Sequence, residues 1–159
     1  MSIDRGLTHV ALPVSDVDAS IDFYERFADM QVVHRRIDDE TGESVVWLSD
    51  GTRPFVIVLI EQHAVSHALG GFAHLGVGCA SRAEVDRRCD DARREGRDVF
   101  GPEDHGEPVG YWAIVADPDG HNLELSHGQE VGLTVERASR REQRPRTPGR
   151  TRSPARRRR

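Results

Sequence analysis

The chain has 159 residues, 36% of them hydrophobic and 31% charged, the balance of a globular chain and not of a membrane or low-complexity one. No apolar run reaches the about 18 residues that a membrane helix requires, and Met1–Arg5 has no signal-peptide pattern, so a cytoplasmic location is the expectation. The net charge of −5 conceals two regions: residues 137–159 hold 11 Arg against one acid, and residues 1–136 hold 11 Arg against 26 acids, with no Lys anywhere. An acidic body excludes nucleic-acid binding through the body and leaves it only to the Arg-rich tail. Cys79 and Cys89 are too few for a disulfide framework and read as reduced core residues.

Leu7–Val14 reads as a first strand. Ser15 is the expected cap of the helix that follows, and Val17, Ile21, Tyr24 and Ala28 recur at helical spacing. Gln31–Arg36, Ser44–Leu48 and Phe55–Glu61 read as three further strands, with a turn at Asp50-Gly51. Residues 62–71 form a linker ending in Gly70-Gly71. A second strand–helix–strand–strand–strand run then begins at Phe72. Ser81 and Glu84 give it a capping-box start, Val85, Cys89 and Ala92 a buried stripe, and Gly96 a stop. Val99–Phe100 is a short strand, Gly101–Gly110 a polar loop with two Pro, and Tyr111–Ala116 and Asn122–Ser126 are the closing strands. Beyond about residue 130 the periodicity fades, and residues 131–159 read as an Arg/Pro-rich tail without fixed structure.

The two runs are one unit written twice. Leu7-Thr8-His9-Val10-Ala11-Leu12 opens the first, and Phe72-Ala73-His74-Leu75-Gly76-Val77 opens the second. The second closes on Asp117-Pro118-Asp119-Gly120-His121-Asn122-Leu123-Glu124-Leu125, which sets Glu124 in a strand just after a tight turn. Strand alternation puts His9 on a face with Leu7 and Ala11, His74 with Phe72 and Gly76, and Glu124 with Asn122 and Ser126. A lone His in an apolar strand is more often a satisfied core residue than a ligand. Two at matched positions, with a carboxylate, make the donor set of a divalent metal with open coordination positions.

With these segments, and with Ile21-Asp22-Phe23-Tyr24, the chain resembles the vicinal oxygen chelate superfamily. That superfamily includes glyoxalase I, fosfomycin- and bleomycin-resistance proteins, methylmalonyl-CoA epimerase and extradiol dioxygenases. The resemblance spans roughly residues 6–128. It implies an α+β fold of two tandem βαβββ modules, residues 6–61 and 72–128 within a domain of residues 1–130, with a curled mixed sheet around a metal cup. It also implies His9, His74 and Glu124 as ligands of Fe, Mn, Ni, Co or Zn, a small substrate with vicinal oxygens, and a homodimer with modules paired within or across chains. The chemistry most in keeping is that of a glyoxalase I-like lyase or isomerase.

The chain departs from glyoxalase I at the fourth ligand. The best alignment places Val58 there, and Glu61, on the opposite face unless a bulge intervenes, is the candidate substitute as ligand or base. His105, in the loop Pro102–Gly106, is a second candidate acid/base beside Glu124 itself. Two alternatives stand. An extradiol dioxygenase would use the same triad, but its expected Tyr is here Ile114. A metal-free drug-binding protein of the bleomycin-resistance kind would lack the full donor set. One of Tyr111 and Trp112 should pack and the other line the cavity; His121 reads equally as pocket wall or turn packing; His34, His63, His67 and His127 read as surface residues.

Overall fold

A computed structural model describes residues 6–142 of the chain, and it divides into a compact unit ending at Gln129 and a second beginning at Glu130. In the first unit the order is β1 (His9–Val14), α1 (Val17–Ala28), β2 (Gln31–Ile37), β3 (Ser44–Ser49) and β4 (Val56–Glu61). It continues with β5 (Leu75–Gly78), α2 (Arg82–Arg94), β6 (Val99–Asp104), β7 (Tyr111–Ala116) and β8 (Asn122–His127). These are the two βαβββ modules expected. Each closes its own four-stranded mixed sheet, in the orders β1-β4-β3-β2 and β5-β8-β7-β6, with β1 parallel to β4 and β5 parallel to β8. The strands β1 and β5 are therefore sheet edges.

Alternation decides which face of each sheet is buried. Ile57 and Leu59 of β4 and Leu123 and Leu125 of β8 point into one continuous apolar core. Helix α1 adds the anticipated Val17, Ile21, Tyr24 and Ala28, joined by Phe23 and Phe27, and α2 adds Val85, Cys89 and Ala92. Burial of such side chains contributes about 1.5–3 kcal/mol each. Cys79 and Cys89 are buried and free, and Cys79 lies one residue past β5.

Several local readings change. Asp16, not Ser15, caps α1: its carboxylate accepts from the Ala19 N–H at 3.0 Å, while Ser15 bonds Asp119. In α2 Ser81 Oγ accepts from the Glu84 N–H at 3.1 Å as expected, but the Glu84 carboxylate reaches back to the Ala80 N–H. Strand β6 runs on to Asp104 through an irregularity between Phe100 and Glu103, so part of the expected polar loop is strand. Gly101 permits this: its φ is +83°, and a Cβ there would stand 3.1 Å from the Trp112 carbonyl oxygen. Pairing with β7 overrides the loop-forming composition. In the second unit Val131–Glu142 is helix α3, where an unstructured tail was expected. The rest of the expected tail, residues 143–159, lies outside the described residues. Among the described residues no helix is long and apolar enough to cross a membrane.

A buried guanidinium ties the modules together. Arg88 of α2 donates to the Phe27 carbonyl at 2.6 Å, to Asp29 at 2.5 Å and to Glu84 at 2.6 Å, and it is only 4% exposed. Replacing Arg88 with Ala should lower unfolding stability by about 2–4 kcal/mol, because it strips a donor from a buried carbonyl and opens a void. Arg88→Lys should recover less than half of that, since one ammonium cannot serve three acceptors in a fork. Urea unfolding of the three proteins checks this; an Ala variant as stable as the parent would show the clamp to be idle.

Candidate functional site

Each sheet turns its other face outward. On module one this face is a cup of about 750 Å³, lined from β1 by His9 and Ala11, from β3 by Val45 and Trp47, and from β4 by Val56, Val58 and Ile60. His9 opens β1 and pairs with Val56 of β4, and its Nδ1 lies 3.0 Å from the Thr8 hydroxyl. No residue of module two lines this cup. On module two the register sets Gly76, Glu124, Ile114 and Phe100 in one row across β5, β8, β7 and β6. His74 stands just before β5.

The donors of module two meet. His74 Nε2 lies 3.5 Å from Glu124 Oε2. His74 Nδ1 lies 2.8 Å from the Phe72 carbonyl, which can only accept, so Nδ1 carries a hydrogen and Nε2, on the Glu124 side, is the nitrogen left for a metal. Glu124 is 8% exposed, and its Oε1 accepts from Gln129 Nε2 at 2.7 Å. An imidazole and a carboxylate, each oriented by a further hydrogen bond, are two of the donors a divalent ion would need. His9 stands on the other module. Among the described residues no three His, Cys, Asp or Glu side chains gather closely enough to hold a metal. The expected triad is thus split between the modules, two donors together and one apart.

Glu61 is engaged elsewhere. Its two oxygens accept from the Val17 N–H at the start of α1, at 3.4 Å, and from the Ser44 N–H, at 3.2 Å. A carboxylate at a helix N-terminus is stabilised there by the exposed amides. Val58 occupies the middle of β4, as the alignment placed it, and faces the cup. His105 lies 2.8 Å from a Glu103 oxygen through Nε2, and its ring stands 5.7 Å from that of Trp112. Trp112 shares the outer face with Ser126, and its buried Nε1 has no partner among the described residues. Tyr111 lies on the core side, where its hydroxyl meets Asp86 at 2.5 Å. His34, His63 and His67 are exposed and His127 is half-buried.

The turn before Glu124 is bolted to module one. Gly120 takes the left-handed conformation at φ +86°, and Asp117 accepts from the N–H groups of Asp119 and His121 at 2.9 and 2.8 Å. Its second oxygen accepts from the Tyr24 hydroxyl at 3.1 Å. His121, of undecided role in sequence, is 1% exposed and belongs to the turn's packing: Nε2 donates to the Pro13 carbonyl at 2.7 Å, and Nδ1 accepts from the Leu69 N–H at 2.9 Å. Burial pushes the Asp117 carboxyl above its ordinary value, against the opposing pull of its hydrogen bonds. Burial, with Asp117 beside it, likewise pushes the Tyr24 phenol up. Sequence reasoning missed Gln129, the Phe72 carbonyl and the Tyr24–Asp117 bond, none of which has a local signal; the Asp-Pro-Asp-Gly turn itself was legible.

Comparison with known proteins places these features in a family. The family model described as the glyoxalase/bleomycin resistance protein/dioxygenase superfamily matches residues 6–125. An uncharacterised protein of Pseudomonas aeruginosa is 38% identical over 129 residues, covering 79% of this chain and 91% of that protein. A lactoylglutathione lyase of Escherichia coli O157:H7 is 31% identical over 133 residues, covering 79% and 95%. The lactoylglutathione lyase GLX1 of Arabidopsis thaliana is 33% identical over 129 residues, 77% of this chain, which spans only 44% of that longer protein. In fold, the chain resembles the trypanothione-dependent glyoxalase I of Leishmania major, with a TM-score of 0.62, 24% identity and coverage of 88% and 98%. It also resembles the fosfomycin resistance protein FosX of Listeria monocytogenes, with a TM-score of 0.65, 16% identity and coverage of 84% and 99%.

The raised Asp117 value fixes a sign. A carboxyl whose folded value lies above its unfolded one of about 3.9 adds stability that is complete below that pH and fades as pH rises through the folded value. Asp117→Asn removes this dependence while its amide keeps a partner for Tyr24 and for the turn. Its destabilisation, read from urea midpoints, should therefore be larger at pH 4 than at pH 7; the reverse order would contradict the assignment.

Proposed function

The chain belongs to the glyoxalase/bleomycin resistance protein/dioxygenase superfamily, and from that membership we propose a divalent-metal-dependent enzyme, acting on a small substrate with vicinal oxygens, whose metal site is completed by a second copy. The observation that carries this reading is the His74–Glu124 pair, 3.5 Å apart, with the imidazole already fixed in its ligating tautomer. His9, at the matching point of module one, is the third donor. The edges of β1 and β5 have no strand partner among the described residues. A copy whose β1 edge meets the β5 edge of another brings His9 to the His74–Glu124 pair, and two-fold symmetry makes two such sites.

The metal, one of Fe, Mn, Ni, Co or Zn, would act as a Lewis acid on a carbonyl oxygen. The rest falls to the chain. Gln129 holds Glu124 and the Phe72 carbonyl holds His74 in position. Val58 contributes no ligand. Glu61 spends its oxygens on Val17 and Ser44, which leaves the Glu103-backed His105, or Glu124 only on leaving the metal, to carry a proton between carbons in lyase or isomerase chemistry. The relatives named lactoylglutathione lyase support that reaction class. Extradiol cleavage is less well served: Ile114 pairs with Glu124 in register and supplies no hydroxyl.

One observation favours a second reading. In the single chain the three donors do not gather, which suits a metal-free binding protein. Metal content separates the two. Protein purified without a His-tag should carry about one divalent ion per chain and lose it in His9→Ala, His74→Ala and Glu124→Ala, whereas Glu61→Ala should keep it at a stability cost of about 1–2 kcal/mol. Co-expressed His9→Ala and Glu124→Ala chains should regain about a quarter of the metal, since half the dimers are mixed and each mixed dimer has one intact site. Folded His74→Ala protein with unchanged metal would refute the site. No recovery on mixing would refute its cross-chain completion.

A further inference from the structure

The geometry points to the chemical class of the substrate: a compact organic monoanion with an apolar body, its acid group held by Arg53, and not a glutathione adduct. This rests on the reading of the module-one cup as the substrate's half of the site.

The floor of the cup is apolar throughout. Ala11, Val45, Trp47, Val56, Val58 and Ile60 offer no hydrogen-bonding group except the Trp47 indole, and Trp47 is 41% exposed. Val58, at the position of the fourth ligand in glyoxalase I, leaves this floor unbroken. The face of module two that would close over it has an apolar part, with Phe100 and Trp112 rings 5.7 Å apart beside Ile114, and a polar part at Glu124 and Ser126.

The rim carries charge, and nearly all of it is engaged. Arg36 pairs with Asp38 at 3.0 Å, Glu43 stands 3.7 Å from His63, and Glu61 accepts two backbone N–H bonds. Arg53 is the exception. Its Nε donates to the Thr52 hydroxyl at 3.2 Å, and among the described residues no carboxylate lies within ion-pair reach of its guanidinium. Asp50 feels its charge, but the Asp50 oxygen is taken by the Thr52 N–H and hydroxyl at 2.9 and 2.8 Å. Arg53 also stands at the ligand end of the cup. Three residues on, Val56 donates its N–H to the Thr8 carbonyl and pairs with His9. One forked cation without an ion-pair partner among the described residues, lining the same cup as His9, suits one carboxylate next to the vicinal oxygens, as in a 2-oxo or 2-hydroxy acid.

A glutathione adduct fits poorly. It brings two carboxylates, an ammonium and two amides. On the module-one floor the two amides would find only the Trp47 indole, at about 1–3 kcal/mol for each group left unsatisfied.

Benzoylformate, its methyl ester and S-lactoylglutathione are suitable probes, titrated into the full chain by tryptophan fluorescence and calorimetry, as purified and after chelator treatment. Benzoylformate should bind more tightly than either comparator. Arg53→Gln should weaken it at least about tenfold, and Arg53→Lys should restore part of the loss. Near-ultraviolet dichroism verifies that both variants fold, and Arg53 lies in an exposed loop. Unchanged benzoylformate binding in a folded Arg53→Gln protein, no benzoylformate binding at millimolar concentration, or tighter binding of S-lactoylglutathione would overturn the assignment. An Arg53-dependent preference in protein that holds no metal in any preparation would refute the metal reading and leave this one standing.

Discussion

The shared core behind the two sheets sets everything else. Phe23, Tyr24 and Phe27 of α1 and Val85, Cys89 and Ala92 of α2 pack with the inner faces of both sheets into one apolar cluster. Arg88 and the Tyr24–Asp117 bond cross between the modules at its margins. Arg97 adds a guanidinium 4.9 Å over the Phe23 ring. Because the apolar side of each sheet is spent on this core, the other side must face outward. Each outward face then keeps the residues that burial does not need: His9 and the cup floor on one, His74 and Glu124 on the other.

That division explains how an acidic, Lys-free body can hold a polar site without destabilising itself. Apart from Trp112 Nε1, the buried polar groups around Glu124 have named partners. Glu124 has Gln129, His121 has the Pro13 carbonyl and the Leu69 N–H, and Asp117 has two amides and a phenol. The turn that delivers Glu124 is therefore fixed from module one at two points, through Ser15 to Asp119 as well as through Tyr24 to Asp117. Gly76 and Gly78 leave the outer face of β5 bare, with nothing within 4 Å of a side chain placed there. An edge strand so open beside two oriented donors is a natural seat for another strand.

Much of this was legible in the chain because it is written in short-range periodicity. The 3.6-residue stripe of α1 and the period of two in β4 and β8 told which residues face inward, and the duplicated His positions told where the donors begin. Readings failed where tertiary pairing outweighs local composition. Gly101-Pro102 looks like loop and is an irregularity within β6, because β7 pairs with Phe100 and Glu103 on either side of it; Val131–Glu142 looks featureless and is helix. Asp16 displaced Ser15 as the cap of α1 because Asp119, distant in sequence, claims the serine hydroxyl. The separation of His9 from His74 and Glu124 had no sequence signal at all. Matched positions in a repeat fix symmetry within each module, and they are silent on which copy of one module faces which copy of the other.

Val58 connects the metal reading with the substrate. Two neutral imidazoles and one carboxylate would leave a divalent ion with a net charge of about +1, where a second carboxylate would bring it to zero. An isopropyl group where a carboxylate ligand would otherwise stand thus alters the site twice over, leaving it more positive and its cup floor without a polar group. Both changes favour a ligand that carries its own negative charge and little else that is polar. Arg53 acts in the same direction, at the same end of the cup, through a cation that the chain itself leaves without an ion-pair partner among the described residues. Glu61 cannot reverse this by moving inward, since doing so would strand the Val17 and Ser44 N–H groups it now satisfies.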